Sequence, residues 1–202
     1  MATQQHNSEF LLNLLLEENK HLNTIYFIDR TDKSTNYACV CVALAIGEHF
    51  ETIKENFMDN EQFCEKYFII YTNALENYRS IVGTTIRQIF VDEAKIFYPK
   101  SFVITTLSNL VTNPVQNLDS IDNSYAIILR DEIAFTIIHY KDDDYILIDP
   151  HIEYCGIMSK DAIYRYITYD GIWDFSVSIL TPENVIDKNN MDNGHIDIIT
   201  ST

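Results

Sequence analysis

The sequence predicts an α+β domain in which a helical N-terminal half packs against an antiparallel sheet. Amphipathic patterns with a period of about 3.6 residues dominate the chain as far as Pro99, whereas the segments that follow are rich in Ile, Val, Phe and Tyr. Helical patterns followed by strand patterns are typical of α+β domains. With 202 residues, of which 47% are hydrophobic, the chain is long enough to bury the core of one domain.

The helical patterns begin near the N-terminus. Residues 8–19 form an amphipathic pattern after Asn7 or Ser8, either of which is a suitable N-cap. A second pattern starts at Cys39 and reads "CVCVALAIGEHFETIKENF", apolar at first and amphipathic later. Its first half is therefore expected to be buried in the core. Two further helices are predicted at 61–78 and 84–97.

The strand patterns lie in the second half of the chain. Strands are predicted at 102–107, 125–130, 133–140, 145–149 and 175–180. Because short polar runs separate the middle three, residues 125–149 are expected to form an antiparallel meander. Ser159 is predicted to cap a helix that precedes the last strand. The polar, acidic sequence from Pro182 onward predicts one domain over residues 1–181 and a disordered tail over 182–202.

Charge and cysteine content restrict the classes of function. The formal net charge of −16 argues against binding to nucleic acid or to an anionic membrane surface, and it suits a basic protein partner or simple solubility. The apolar run at 10–16 is too short to cross a bilayer. The four cysteines form no C-x-x-C pair, so no zinc module, metal or cofactor is predicted. Without a basic leader, the chain is expected to be intracellular and cytoplasmic, with reduced thiols.

The sequence "YILIDPH" at 145–151 places polar groups at the end of an apolar strand. If the strand continues through His151, alternation puts Asp149 and His151 on one face with Cα atoms about 6.6 Å apart. A carboxylate at this spacing can orient an imidazole and stabilise its protonated form, as the third member of a catalytic triad does. Pro150 donates no hydrogen bond, so the pair is expected at the rim of the sheet.

Cys39 is the candidate nucleophile for this pair. It stands where a polar loop meets an apolar helix, and the positive end of a helix dipole favours a thiolate there. The free backbone N–H groups of the first turn can also bind an oxyanion. A cysteine at a helix start, followed by His and Asp on a later antiparallel sheet, is the layout of papain-like thiol enzymes.

Two blocks of the sequence resemble a known family. "AFTIIHYKDDDYILIDPHIEYCG" resembles the second active-site block of the herpesvirus large tegument protein deubiquitinases and of the viral-tegument-like deubiquitinases, and "CVCVALAI" is similar to their first block. The resemblance implies a papain-like deubiquitinase with Cys39 as nucleophile, His151 as base and Asp149 as orienting carboxylate. It implies a monomer that acts on ubiquitin or ubiquitin chains without a cofactor, in host cytoplasm if the source is a virus or an intracellular bacterium.

The oxyanion side chain is the open position in this comparison. The family has a Gln upstream of the nucleophile, and residues 20–38 contain none. Asn23 and Asn36 are the two candidates for a side-chain amide in that role.

Two alternative functions remain open at this point. His139 also precedes Asp149, as in bacteriocin-processing cysteine peptidases, so another thiol peptidase or transferase would use His139 as base. With a tight "KDDD" loop, Asp149 would lie opposite Thr136, about 10 Å along the strand from His139, which favours His151. A non-catalytic interaction module is the third possibility, and it predicts that Cys39, His151 and Asp149 are not within hydrogen-bonding reach.

Overall fold

The computed structural model describes residues 2–18, 20–25, 37–108, 118, 121–130, 133–152, 154–168 and 176–183. The helices are α1 (Ala2–Glu18), α2 (Cys39–Glu48), α3 (Phe50–Asn56), α4 (Asn60–Val82), α5 (Val91–Ala94) and α6 (Lys160–Ile167). The strands are β1 (Leu22–Thr24), β2 (Phe102–Ser108), β3 (Tyr125–Arg130), β4 (Ile133–Lys141), β5 (Asp144–Ile148), β6 (Tyr154–Ser159) and β7 (Ser176–Pro182).

The strands form one seven-stranded sheet in the order β1-β6-β5-β4-β3-β7-β2, with antiparallel pairing throughout. The predicted meander is confirmed as β3, β4 and β5, in which Ile127 pairs with Thr136 and Thr136 pairs with Ile148. Strand β6 was not predicted. It continues the meander beyond β5 and joins it to β1, which lies at one edge of the sheet.

Helices cover both faces of the sheet. One face, which includes Ile146 and Ile148, packs against α2, α3, α4 and α5, while the other, which includes Tyr145 and Leu147, packs against α1 and α6. This arrangement follows from the two-residue alternation of side chains along a strand that is buried on both sides. The predicted mixture of helices and antiparallel sheet is confirmed. The helical half does not pack as one layer, however, because α1 lies on the face opposite to α2.

Helix α2 is the central helix of the larger layer. All of its residues from Cys39 to Gly47 are buried, which explains why its sequence is apolar on every side. The Thr136 hydroxyl of β4 donates a 2.9 Å hydrogen bond to the Ala43 carbonyl, so a buried polar group of the sheet is satisfied by the helix backbone. This contact joins α2 to β4 at the residue that pairs with Ile148, the last residue of β5.

Gly47 lets α2 approach the sheet closely. A Cβ atom at this position would lie 2.3 Å from Cε2 of the buried Tyr125 ring. We expect Gly47→Ala to lower the free energy of unfolding by about 1–3 kcal/mol through overpacking, despite the higher helix propensity of alanine. Urea denaturation would measure the loss.

Tyr125→Leu provides the control background for this substitution. If the Tyr125 ring causes the loss, Gly47→Ala should cost much less in the Tyr125→Leu protein, because the obstructing ring atoms are absent. An equal cost in both backgrounds would contradict the explanation.

Two helix predictions were wrong in part. The segment 84–97 contains only the short helix α5, because the Tyr78 hydroxyl donates to the Arg87 carbonyl at 2.6 Å and accepts from the Arg87 N–H at 3.1 Å. These bonds hold the backbone before α5 in a non-helical conformation. Helix α1 begins at Ala2, so Asn7 and Ser8 lie within it and do not cap it.

Candidate active site

Asp149 and His151 lie in a turn at the end of β5. The strand ends at Ile148, and the Ile152 N–H donates to the Asp149 carbonyl at 3.2 Å. The strand therefore ends one residue before the predicted limit at residue 149 and does not continue through His151, so alternation along a strand does not place the pair. The turn brings the pair together instead, since Oδ1 of Asp149 accepts from the His151 backbone N–H and is 2.9 Å from His151 Nδ1.

Cys39 contributes to the site from α2, in the helical layer that packs on one face of the sheet. It is the first residue of α2, as predicted, and its side chain interacts with the His151 side chain through a hydrogen bond and through charge, both of which raise the pKa of His151. Because Nδ1 of His151 is bonded to Asp149, Nε2 is the nitrogen available to the thiol. The structure therefore brings Cys39, His151 and Asp149 within hydrogen-bonding reach, contrary to what the non-catalytic alternative predicts.

The three side chains are almost enclosed. The exposed fraction is 1% for Cys39, and for the side chains of His151 and Asp149 it is 7% and 3%. Exclusion of water strengthens the hydrogen bonds between them.

The charges of the site favour a protonated imidazole. Burial by itself would lower the pKa of His151, but hydrogen bonds and charge interactions with Asp149 and Cys39 outweigh it and raise that pKa from 6.5 to about 10. Burial likewise opposes the ionised form of Asp149. The hydrogen bonds and charge of His151, with the hydrogen bond from Tyr166, nevertheless hold the pKa of Asp149 below its usual value. The two shifts describe a carboxylate and an imidazolium that stabilise each other.

The raised pKa of His151 predicts a pH-dependent contribution to stability. A group whose pKa is higher in the folded state stabilises fully below its unfolded value, here 6.5, and loses that contribution as the pH rises towards about 10. We expect the stability advantage of wild type over His151→Gln to shrink across this interval, by at most about 1.4 kcal/mol per pH unit. Urea denaturation of both proteins at several pH values in the interval measures the difference.

The control is the difference between the free energies of unfolding of wild type and His151→Gln at each pH. Other groups that titrate in the interval contribute to both proteins and cancel in that difference. An advantage that stays constant, or grows with pH, would contradict the assignment of a raised pKa to His151.

Tyr166 is a site residue that the sequence reasoning missed. It lies on the buried face of α6, and its hydroxyl donates a 2.7 Å hydrogen bond to Oδ2 of Asp149. The available signal was the pattern of the helix, which places Ala162, Ile163, Tyr166 and Ile167 on one face. A tyrosine on a buried apolar face needs a hydrogen-bond partner for its hydroxyl.

Asn23 has a structural role in the described contacts. It is 1% exposed, its Nδ2 donates to the Phe57 carbonyl at 2.7 Å, and its Oδ1 lies 2.8 Å from Nε2 of His21. These bonds tie β1 to the end of α3. Asn36 lies outside the described residues, so the oxyanion side chain stays a prediction. Ala38, the residue before α2, has no side-chain acceptor for the N–H groups of the first turn.

Both ring nitrogens of His139 are hydrogen bonded to backbone groups near the hairpin between β4 and β5. Its Nδ1 accepts from the Asn123 N–H at 3.1 Å, and its Nε2 donates to the Asp142 carbonyl at 2.7 Å. The hairpin loop is also shorter than expected, so His139 pairs with Tyr145 and Ile148 lies opposite Thr136. Asp149 is therefore one residue further from His139 than the sequence argument supposed, which weakens the alternative base.

Other features bear on cofactors and membranes. Within the described residues, no group of three or more His, Cys, Asp or Glu side chains is arranged to hold a metal ion. None of the helices in the described part of the chain is long and apolar enough to span a membrane. The predicted tail falls almost wholly outside the described residues, which continue through β7 to residue 183. The domain boundary at residue 181 therefore stays a prediction.

The fold is similar to that of a solved viral protease. Tegument protein M48 of murine cytomegalovirus encodes a ubiquitin-specific protease, solved in complex with a ubiquitin-based suicide substrate, and it matches with a TM-score of 0.52. The chain therefore has a deubiquitinase-like fold that is only distantly similar to that of the viral protease. The match covers 89% of this chain and 90% of that chain at 8% sequence identity, so the likeness concerns the fold alone. No protein-family model and no curated protein matches the sequence.

Proposed function

We propose that this protein is a papain-like cysteine deubiquitinase that hydrolyses the bond after the C-terminal Gly of ubiquitin. The observation that carries the proposal is the hydrogen-bonded chain from Cys39 through His151 to Asp149. Its elements come from a helix N-terminus and from the end of an antiparallel strand, the arrangement of papain-like thiol enzymes. The fold similarity to a viral ubiquitin-specific protease supports ubiquitin as the substrate.

In this mechanism, the proton given up by the Cys39 thiol resides on His151 as an imidazolium, and the Cys39 thiolate attacks the carbonyl carbon of the ubiquitin C-terminal Gly. Backbone N–H groups at the start of α2 stabilise the negative oxygen of the tetrahedral intermediate. The C–N bond then breaks, and the imidazolium gives its proton to the leaving amine. A water molecule, deprotonated by His151, hydrolyses the thioester and regenerates the thiol. Asp149 remains ionised and holds the imidazole orientation throughout.

A ubiquitin probe with a C-terminal electrophile tests this function directly. We expect it to form a covalent adduct with the wild-type protein and none with Cys39→Ala, since the Cys39 sulfur is the attacking atom. Cys64→Ala is the matched control because Cys64 is partly exposed on α4 and its described hydrogen-bond partners are Thr24 and Asn60, which are not residues of the proposed site. Mass spectrometry of the adduct would locate the modified residue.

Failure of wild-type protein to react, or equal labelling of Cys39→Ala, would overturn the proposal. Labelling by a probe built on a ubiquitin-like modifier, but not on ubiquitin, would retain the thiol hydrolase and reject the substrate. The monomeric state and the cytoplasmic location belong to the same proposal, and size-exclusion chromatography with light scattering checks the first.

A further inference from the structure

The buried hydroxyl of Tyr166 has a single hydrogen-bond partner among the described residues, and that partner belongs to the proposed site. Tyr166 is 5% exposed, and its hydroxyl donates to Oδ2 of Asp149 at 2.7 Å. The ring packs edge-on against Phe135 of β4, with centroids 5.4 Å apart at an interplanar angle of 72°. Because the ring is held by the sheet and the hydroxyl by the carboxylate, Tyr166 is a fixed donor and not a mobile one.

The two carboxylate oxygens of Asp149 accept hydrogen bonds from different residues. Oδ1 accepts from the backbone N–H and from Nδ1 of His151, each at 2.9 Å, while Oδ2 accepts from Tyr166. A carboxylate bound only through Oδ1 could turn about its Cβ–Cγ bond, since this torsion has a broad energy profile. A donor at Oδ2 opposes that rotation and keeps Oδ1 directed at the imidazole.

We propose that Tyr166 is a positioning residue of the site, which holds the Asp149 carboxylate in the orientation that keeps His151 directed at Cys39. The expected effect on ubiquitin hydrolysis rests on the proposed function. The expected effect on the reactivity of the Cys39 thiol rests on the geometry alone. Tyr166 extends the site through the sheet, from α2 on one face to α6 on the other.

Several titratable groups surround this contact. Asp149 is faced by His151 in its own turn, by Tyr166 from α6 and by Tyr67 from α4, and Arg130 of β3 interacts with Tyr166. Removal of the Tyr166 hydroxyl takes one donor from the carboxylate and leaves the other groups in place. Protonation of Asp149, and with it the loss of activity in acid, should therefore occur at higher pH.

Tyr166→Phe tests the proposal because it retains the ring and removes only the donor. With ubiquitin that carries a fluorogenic amide at its C-terminus, we expect kcat/KM to fall about tenfold, mainly through kcat, and the acidic limb of the pH profile to move upward. Tyr145→Phe is the matched control. Its buried hydroxyl donates to the Leu118 carbonyl at 3.4 Å and lies outside the chain from Cys39 to Tyr166, so neither quantity should change.

A second variant predicts the opposite shift. Incorporation of 3-fluorotyrosine at position 166 preserves packing and makes the hydroxyl a stronger donor, so the acidic limb should move downward. A folded Tyr166→Phe protein with the wild-type rate and pH profile would overturn the proposal. So would a fluorotyrosine protein whose profile does not move, including in the case where Tyr166→Phe does not fold.

Alkylation of Cys39 by iodoacetamide separates this inference from the proposed function. Its rate, followed by mass spectrometry of the peptide that contains Cys39, depends on the coupling of the thiol to His151 and requires no ubiquitin. If wild-type protein does not cleave the ubiquitin substrate but Tyr166→Phe shifts the pH profile of alkylation, the substrate assignment fails and the positioning role stands. An unshifted alkylation profile removes the positioning role, whatever the substrate.

Discussion

Replacement of His151 with alanine is expected to reduce hydrolysis of a ubiquitin C-terminal amide by at least about a thousandfold. The His151 imidazole interacts with Cys39, and its Nδ1 lies 2.9 Å from Oδ1 of Asp149. Its removal takes away the base that accepts the thiol proton and the acid that protonates the leaving amine. Steady-state kinetics with a fluorogenic ubiquitin substrate would measure the loss, and circular dichroism would verify the fold.

His139→Ala is the control for this experiment and also tests the alternative base. Both ring nitrogens of His139 bond to backbone groups of Asn123 and Asp142, so its loss should lower stability by about 1–3 kcal/mol and leave the rate per folded molecule unchanged. The reverse result, with activity lost in His139→Ala and retained in His151→Ala, would establish His139 as the base and reject the mechanism proposed above.

Asp149→Asn is expected to have the second largest effect. It should lower kcat by about a hundredfold to ten-thousandfold, because a neutral amide neither stabilises the imidazolium nor maintains the required His151 tautomer. Asp149 is 2% exposed and also accepts from Tyr166. Breaking this buried pair should lower the free energy of unfolding by about 3 kcal/mol, as measured in urea.

The exposed Asp143 of the hairpin offers a matched control. Asp143→Asn removes the same charge from the surface, six residues earlier in the chain, and should change stability by less than about 0.5 kcal/mol. If Asp149→Asn retained wild-type kcat, Asp149 would be a structural residue and not a member of a triad. A loss confined to stability would support the same conclusion.

The candidate site was predicted in part from local sequence. The apolar strand that ends in Asp149-Pro150-His151 identified the pair, because a carboxylate and an imidazole at the end of a buried strand require a specific environment. The position of Cys39 at a helix start followed from the change of composition after a polar loop. Tyr166 did not emerge in this way, since its partner lies 17 residues earlier in the chain and on a different element.

The errors in the fold have physical causes that lie outside each segment. Residues 84–97 carry a helical pattern, but the hydroxyl of Tyr78 binds both backbone groups of Arg87 and prevents a continuous helix. Strand β6 was missed although its partner β5 is adjacent in the chain, because Gly156 lies in its interior and glycine is depleted in strands. Its other partner is β1, in which Leu22 lies opposite Gly156. Gly156 permits a close approach there, where a Cβ would lie 2.8 Å from the His21 carbonyl oxygen.

By itself, the sequence determined the mixture of helices and antiparallel sheet and the meander from Tyr125 to Ile148, because both follow from local periodicity. It also nominated Cys39, His151 and Asp149 for the proposed site, because each stands at a change in polarity along the chain. Only the tertiary structure decided how they meet. The turn after Ile148 folds His151 back onto Asp149, while α2 positions Cys39 from one face of the sheet and α6 positions Tyr166 from the other. These contacts depend on packing between distant segments, which no local pattern encodes.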